Sequence, residues 1–289
     1  MREIRLYLER VEYNAGDTIS GTAEIVCDKE FSYNEMYVEL KGREHTWVTR
    51  HVGKHSYTYT EEYFHVNEKF ELMPSGSIQS GEIRVPFSFT LPEDVPTSYK
   101  GTRGFIEYTL EGKIEVSWAR DPKHKIGLMI SGTSTPISPS TETKSELEDG
   151  VPQIDAVVEN NEIYPGDILK VRYRIERQDK MRGVRIDVET TENVTADGYG
   201  AETSKKYSEV FIDEDQIPRG SWREIGIQTP QDLPVTYDGP LVKLENNLKV
   251  VIDIPWGLDK DVVFPLIVRN KQSETNDLFG DSATDHFEF

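Results

Sequence analysis

Histidines and basic residues gather in the segment REHTWVTRHVGKHSYTY, where metal or anion chemistry would be possible. They are His45, Arg50, His51, Lys54 and His55. Neutral imidazoles bind zinc, so three histidines point to a metal site as one interpretation. No cysteine and no ordered carboxylate spacing accompanies them. The pattern therefore favours a positively charged hairpin tip at Gly53 that contacts an anionic partner or a membrane surface.

The other candidate chemistries lack their motifs. The sequence has no Gly-rich phosphate loop, no G-x-S-x-G and no H-E-x-x-H. The acidic run Asp213–Asp215 lacks the spacing of a calcium loop, so we interpret it as a solvated turn with a short helical turn around it. Carboxylates are abundant, but nothing singles out a glycosidase pair. We predict no catalytic residue, no metal and no cofactor, and hence a protein that is not an enzyme.

A carbohydrate-binding or glycan-processing β-sandwich is the alternative function. Four tryptophans could serve as sugar platforms: Trp47, Trp118, Trp222 and Trp256. Trp118 and Trp256 occupy matching positions of an internal repeat, which favours structural roles for that pair. The alternative therefore stays open, without a specific site.

Composition limits the partners and the compartment. The chain of 289 residues has a net charge of -19, which argues against nucleic-acid binding that depends on phosphate neutralisation. No apolar run approaches a membrane span, and the N-terminus lacks the apolar centre of a signal peptide. We expect a soluble, cytoplasmic protein, peripheral at membranes if the basic hairpin binds lipid. The one cysteine, Cys27, is expected to be a buried apolar side chain.

Alternation with a period of two residues dominates the chain and predicts an all-β fold. Ile4, Leu6 and Leu8 share one face of the first segment, and similar segments rich in Val, Ile, Tyr, Phe and Thr recur to the end. Gly, Pro, Asn and Asp separate these segments. We predict two tandem immunoglobulin-like β-sandwich domains, with a short linker and a C-terminal tail.

The prediction of two domains rests on a repeat. FTLPEDVPTSYKG at residues 89–101 is echoed by QTPQDLPVTYDG at residues 228–239, at an offset of 138. Proline ends a strand at a defined place, and the tyrosine is expected to pack under the crossover with its hydroxyl bonded to backbone. The matching positions of this fold signature are Pro92, Pro96, Tyr99 and Gly101 in the first copy, and Pro230, Pro234, Tyr237 and Gly239 in the second.

Composition also sets the predicted boundaries. We place the first domain at residues 1–135, a Ser/Thr/Pro-rich linker at 136–151, and the second domain at 152–270. An acidic tail, flexible or latched, follows at 271–289. Its large apolar residues among acids are typical of a segment that binds a groove or adds a strand, although a solubilising tail is equally compatible. They are Leu278, Phe279, Phe287 and Phe289.

The duplicated P-x-D-[VL]-P-x-[ST]-Y-x-G, each copy followed by a long strand, resembles the arrestin fold over about residues 3–268. LPEDVPTSYKGTRGFIEYTLEGKIEV and YNAGDTISGTAEI carry the similarity best. The resemblance implies a non-enzymatic scaffold or adaptor in protein transport or signalling. Such a protein would bind cytoplasmic segments of membrane proteins or other protein partners, and its tail would regulate access. The sequence alone does not indicate the oligomeric state.

Two departures favour a divergent member of that family, with a prokaryotic origin as one interpretation. The sequence has no Pro-Pro-x-Tyr, and KIGLMISGT carries no arginine after Lys125, which puts a phosphate-sensing trigger in doubt. In arrestins, basic residues of the first strand help to dock phosphorylated tails, which makes Arg5 a candidate here, although pairing with glutamates is as compatible. The predicted binding residues are thus Arg5, Arg50, His51, Lys54, Lys100 and Arg103.

Overall fold

The structure, a computed structural model, consists of two β-sandwiches in tandem, as predicted. It describes residues 2–117, 119–133, 135–148, 151–176 and 181–270. Each sandwich encloses its own apolar core, and fully buried side chains such as Leu40 and Leu248 lie near the centres of the two cores. The short helical turn expected near residue 213 is a 3-10 helix at Glu214–Gln216. Among the described residues, no helix is long and apolar enough to cross a membrane.

The described residues of domain 1 form eleven strands in two main sheets and a short two-stranded pair. One sheet has the order β1-β3-β8, the other has the order β2-β11-β10-β5-β6 with β9 beside β10, and β4 pairs with β7. The strands are β1 (Arg2–Leu8), β2 (Glu12–Asn14), β3 (Thr18–Cys27), β4 (Phe31–Tyr33), β5 (Glu35–Val52), β6 (His55–Met73), β7 (Gly76–Ile78), β8 (Gly81–Thr90), β9 (Tyr99–Lys100), β10 (Gly104–Glu115) and β11 (Lys123–Ser131).

Domain 2 repeats this arrangement, with ten strands in the part of it that the structure describes. Its sheets have the orders β12-β13-β15-β18 and β14-β21-β20-β16-β17, with β19 beside β20. The strands are β12 (Glu142–Glu148), β13 (Val151–Val158), β14 (Glu162–Ile163), β15 (Ile168–Ile175), β16 (Gly183–Ala196), β17 (Tyr199–Asp213), β18 (Arg223–Gln228), β19 (Tyr237–Asp238), β20 (Val242–Asp253) and β21 (Lys260–Val268).

Matching hydrogen bonds support the repeat inferred from the prolines. Gly16 donates its N–H to the carbonyl of Pro92 at 3.3 Å, and Gly166 donates to Pro230 at 3.2 Å. Both glycines have φ near +84°, a conformation that costs glycine little. In each copy, therefore, a turn at Gly-Asp, residues 16–17 or 166–167, is hydrogen-bonded to the start of the crossover loop.

In each crossover, the carbonyl of the second proline accepts a hydrogen bond from a polar side chain of the long strand that follows. The hydroxyl of Tyr108 donates to the carbonyl of Pro96 at 2.6 Å. Asn246, 138 residues later, donates its amide to the carbonyl of Pro234 at 3.0 Å. The tyrosine-to-backbone bond expected at the crossover thus exists, but it is made by Tyr108.

The predicted linker is shorter than residues 136–151, because its second half forms β12. This strand runs antiparallel to β13, with Glu142 opposite Val158, and belongs to domain 2. The segment ETKSELE has the composition of a linker because an edge strand that is half exposed to water can carry charged side chains. Among the described residues between the domains, 135–141 are therefore the stretch that belongs to no strand.

Candidate functional site

The two domains meet across a third apolar cluster. Its buried members come from the long hairpin strands and from β20: Val48, Val194, Ala196, Val242 and Leu244. Tyr99 and Tyr237, the tyrosines of the repeated motif, pack against it from the two crossovers. The fold signature therefore lies at the domain junction.

A fully buried carboxylate of domain 1 binds domain 2. Glu44, on β5, has no exposed surface. Its carboxylate accepts the N–H of Leu241 at 2.8 Å, the N–H of Val242 and the hydroxyl of Tyr237 at 3.0 Å. Three donors from one loop of the other domain satisfy a charge that would otherwise be costly to bury. We call this arrangement the Glu44 clasp.

A buried carboxylate of domain 2 binds domain 1 in the same way. Glu192, on β16, is 4% exposed and accepts the N–H groups of Thr102 at 3.0 Å and Arg103 at 3.1 Å. Burial, and then the charge of Glu192, raise the pKa of Tyr99, which lies beside it. The Glu192 clasp therefore matches the Glu44 clasp, with the roles of the domains exchanged.

Each domain has a β-bulge near the junction, but at a different distance from its carboxylate: between Gly42 and Arg43 in domain 1, next to Glu44, and between Val188 and Glu189 in domain 2, three residues before Glu192. In domain 1, Gly42 pairs with Val66 and Arg43 with Phe64, which leaves His65 without a partner in the ladder. Its Nε2 lies 2.8 Å from the Glu44 carboxylate. Bulges re-aim side chains in this way.

In domain 2, the bulge between Val188 and Glu189 leaves Tyr207 unpaired in the ladder. Tyr207 contributes to the raised pKa of Tyr99, after burial and the charge of Glu192. A histidine therefore occupies one bulge of the junction, and a tyrosine occupies the other.

The Tyr-x-Gly spacing has a steric reason. A Cβ at Gly101 would lie 1.9 Å from the Glu192 carboxylate and 2.5 Å from the Tyr99 hydroxyl, and a Cβ at Gly239 would lie 2.2 Å from the Tyr237 hydroxyl. The expectation that these tyrosines bond backbone is wrong for Tyr237, whose hydroxyl donates to Glu44. Glycine at these positions leaves room for the ring beside the junction carboxylate.

The tips of the long hairpins also touch. The rings of Tyr59 and Tyr199 are 4.3 Å apart, and the carboxylate of Glu61 accepts the N–H of Asp197 at 2.8 Å. Asp197 and Gly198, both at positive φ, form the two-residue turn of the domain 2 hairpin. Arg50, a predicted binding residue, lies over the Tyr199 ring at 5.5 Å and so belongs to this contact.

The other predicted residues of the basic hairpin are at its tip. Gly53 has φ +62° and, with Lys54, forms the predicted turn. Lys54 is exposed, and the Nδ1 of His51 lies 2.8 Å from the hydroxyl of Ser56. His45 lies on β5, six residues before His51, stacked on Phe105, so the structure does not bring the three histidines together. Within the described ranges, no three potential metal ligands cluster.

Lys100 and Arg103 flank the crossover of domain 1. Lys100 is exposed on β9, opposite Phe105, whereas Arg103 contributes its backbone N–H to the Glu192 clasp. Arg5 lies on the exposed face of the other sheet and bonds Glu3 of its own strand at 2.9 Å. The six predicted binding residues therefore fall in three places rather than on one surface: the hairpin around Gly53, the domain 1 crossover and the first strand.

The outer edge of β1 is open. No described strand pairs with it, since β1 ends the order β1-β3-β8. Its N–H and C=O groups point alternately to β3 and outward. One outward group, the N–H of Leu6, donates to the Nδ1 of His124 at 3.0 Å. In domain 2, β12 covers the corresponding edge of β13.

The tryptophans form no shared platform in the described part of the chain. Trp222 lies beneath Arg172 and Arg174, and Trp47 lies near His45 and Phe105. Trp256 is fully exposed, so the structural role expected for it is wrong. Trp118 and the predicted tail residues Leu278, Phe279, Phe287 and Phe289 lie outside the described residues.

Glu44 and Glu192 were missed by sequence reasoning, although a signal exists. Each occupies an inward position of a strand whose inward neighbours are small or apolar, such as Thr46 and Val48 around Glu44. A single carboxylate in the buried phase of an alternating strand requires donors from elsewhere. The presence of such a carboxylate in both copies of the repeat would have indicated that it lies where the two domains meet.

Comparisons with known proteins agree with the fold. A family model described as "Arrestin (or S-antigen), N-terminal domain" matches residues 3–135. Arrestin domain-containing protein 17 of Caenorhabditis elegans is 37% identical over 122 residues, which cover 38% of this chain and 29% of that protein. Arrestin domain-containing protein 1 of Mus musculus is 30% identical over 129 residues, covering 44% of this chain and 28% of that protein.

One relative matches nearly the whole chain. Arrestin domain-containing protein A of Dictyostelium discoideum is 25% identical over 292 residues, covering 91% of this chain and 50% of that protein. The chain thus aligns with no more than half the length of these three relatives. All three come from eukaryotes, and the prokaryotic origin stays a prediction.

Replacing Glu44 by glutamine is expected to destabilise the junction. The amide oxygen of glutamine could keep the N–H groups of Leu241 and Val242, but the amide nitrogen would then face the Tyr237 hydroxyl, which would lose its acceptor, and the remaining hydrogen bonds would no longer be charge-assisted. We expect the free energy of unfolding to fall by about 2–4 kcal/mol, measured by urea unfolding. Glu192→Gln should give a similar loss.

Glu68→Gln is the matched control for these two variants, because Glu68 is an exposed glutamate of β6. Its free energy of unfolding should stay within about 0.5 kcal/mol of the unchanged chain. If Glu44→Gln changed the free energy of unfolding by as little, the proposed contribution of the Glu44 clasp to stability would be wrong.

Alkaline pH is expected to weaken the fold through three tyrosines. Burial raises the pKa of Tyr99, Tyr108 and Tyr237, followed by the charge of Glu192 for the first and of Glu44 for the other two. The folded chain therefore keeps protons that the unfolded chain loses near pH 10. Their contribution is complete below about pH 9 and declines as the pH rises, by about 1.4 kcal/mol per pH unit for each tyrosine.

Urea unfolding between about pH 8 and pH 11 measures this decline. The double variant Tyr99→Phe/Tyr237→Phe should show a shallower loss, by about 2.8 kcal/mol per pH unit, and each single variant about half of that difference. A slope unchanged by the double substitution would show that these hydroxyls do not couple to unfolding.

Proposed function

We propose that this chain, which is similar to arrestin domain-containing proteins, is a non-enzymatic scaffold that holds an extended segment of a membrane or signalling protein. The fold of both domains and the three relatives support the family-level part of this proposal. The partner segment would be cytoplasmic, and the protein would act where that segment is, in solution or beside the membrane.

The open edge of β1 carries the proposal. Its counterpart in domain 2 is occupied by β12, an extended strand antiparallel to β13, and this pairing supports strand addition at β1. A partner segment would bind β1 through main-chain hydrogen bonds, with side-chain contacts selecting the sequence. Arg5 and Tyr7, on the exposed face of β1, would provide such contacts.

The junction fixes the geometry of such a scaffold. The two clasps bury carboxylates of both domains in reciprocal contacts, so a partner bound to domain 1 would meet domain 2 in one orientation. Arg50 and Lys100 are exposed near the junction and would then bind acidic groups of the partner.

Proline at position 8 tests strand addition. Leu8 follows Leu6 by two residues, so its N–H points outward, away from β3, and proline there removes a donor from the open edge. A partner would be identified by proximity labelling, and its segment synthesised as a peptide. We expect Leu8→Pro to weaken binding of that peptide about tenfold or more, measured by calorimetry.

Leu8→Ala is the control, because it removes the side chain and keeps the N–H. Its affinity should remain within about threefold of the unchanged chain. Equal affinities for Leu8→Pro and Leu8→Ala would place the partner elsewhere on the protein.

Removal of residues 273–289 tests regulation by the acidic tail. If Leu278, Phe279, Phe287 and Phe289 compete with the partner for the same edge, the shortened chain should bind the peptide more tightly, about three- to tenfold. The same calorimetric titration measures the change. An unchanged affinity would leave the scaffold proposal intact and remove its regulatory part.

A further inference from the structure

The connection between the domains presents a serine between two prolines, in the sequence Pro136-Ile137-Ser138-Pro139. Residues 135–140 belong to no helix or strand, and Ser138 and Pro139 are exposed. A residue that precedes proline is restricted to extended conformations. Ser138 is therefore presented on an extended and accessible stretch of chain.

Hydrogen bonds hold this stretch on both sides of Ser138. The guanidinium of Arg269 donates to the carbonyl of Ile137 at 2.5 Å and to that of Thr135 at 3.4 Å. On the other side, Asn161 accepts the N–H of Ser140 at 2.8 Å. The hydroxyl of Ser138 takes part in none of the hydrogen bonds found in the described residues.

We propose that Ser138 is a phosphorylation site for a proline-directed serine/threonine kinase, and that Arg269 binds the phosphate. The hydroxyl oxygen of Ser138 attacks the γ-phosphorus of MgATP and forms the new O–P bond. The bond between the γ-phosphorus and the bridging oxygen breaks, ADP leaves with the electron pair, and the hydroxyl proton passes to the catalytic base of the kinase.

Two neighbours show why Ser138 is preferred. Thr135 also precedes a proline, but it is partly buried and its carbonyl is bound by Arg269. Ser140 is exposed, but threonine follows it, and its hydroxyl donates to Glu142 at 2.8 Å. Ser138 alone of these three combines exposure, a hydroxyl without such a bond and a following proline.

Arg269 is placed to receive the phosphate. The carbonyl to which it donates belongs to the peptide bond between Ile137 and Ser138, so the guanidinium lies beside the phosphorylated residue. Its present carboxylate partner is Glu162, at 2.9 Å from Nε. A phosphate of nearly two charges and three acceptor oxygens competes well with one carboxylate for an arginine.

The pairing would affect the connection between the domains. The residue after Arg269, Asn270, donates its amide to the hydroxyl of Thr97 at 2.6 Å and to the carbonyl of Gly132 at 3.2 Å, both in domain 1. A phosphate bound by Arg269 would hold residues 135–141 against the end of β21. We therefore expect phosphorylation to make these residues less accessible.

The first experiment treats the folded chain of 289 residues with a mitogen-activated protein kinase and MgATP, and maps the phosphate by mass spectrometry. We expect nearly one phosphate per chain at Ser138, abolished by Ser138→Ala and retained in Ser140→Ala. Phosphorylation of Ser138 only after the chain has been unfolded in urea or digested would contradict the proposal. Phosphorylation of the folded chain mainly at Thr135 would also contradict it.

The second experiment tests Arg269 by limited proteolysis of residues 135–141. Phosphorylation should slow cleavage about threefold or more, and Arg269→Gln should remove this difference. Glu162→Gln removes the competing carboxylate and keeps the arginine, so it should increase the protection by phosphorylation. This variant replaces Arg269→Gln in the test if Arg269→Gln does not fold. Equal cleavage of phosphorylated and unmodified chains would overturn the role of Arg269.

Discussion

The arrangement of the two domains depends on two carboxylates that are buried in one domain and satisfied by the other. Glu44 and Glu192 each accept backbone N–H groups from a crossover loop across the junction. A buried carboxylate without donors would be strongly destabilising. Each carboxylate is therefore satisfied only when the other domain lies where its N–H groups reach that carboxylate. The apolar cluster between the domains favours contact, and the carboxylates select its geometry.

The repeated motif serves this junction at both of its ends. Its prolines shape the crossover from one sheet to the other, where Tyr108 and Asn246 hold them through their carbonyls. Its Tyr-x-Gly then places a ring beside the carboxylate of the other domain, in the space that glycine leaves. One short stretch of sequence thus determines both the fold of its own domain and the contact with the other.

Much of this architecture could be predicted from the sequence, because alternation and proline act locally. The strands, the two sandwiches and the hairpin tip at Gly53 follow from such signals. The role of Glu44 could not be predicted in this way, since its donors lie almost 200 residues away in the chain. Strand β12 was also missed, because an edge strand half in water can carry the charges of a linker.

The reciprocity of the clasps has an evolutionary consequence. In a symmetric dimer, the same patch on both subunits forms the interface, and each contact occurs twice with the partners exchanged. The junction between these covalently joined domains has that form, which a gene duplication and fusion of a self-associating ancestral sandwich would produce. Fusion would also have allowed the two copies to diverge: the bulge of domain 1 places His65 beside Glu44, whereas the bulge of domain 2 lies two residues farther from Glu192 and carries Tyr207.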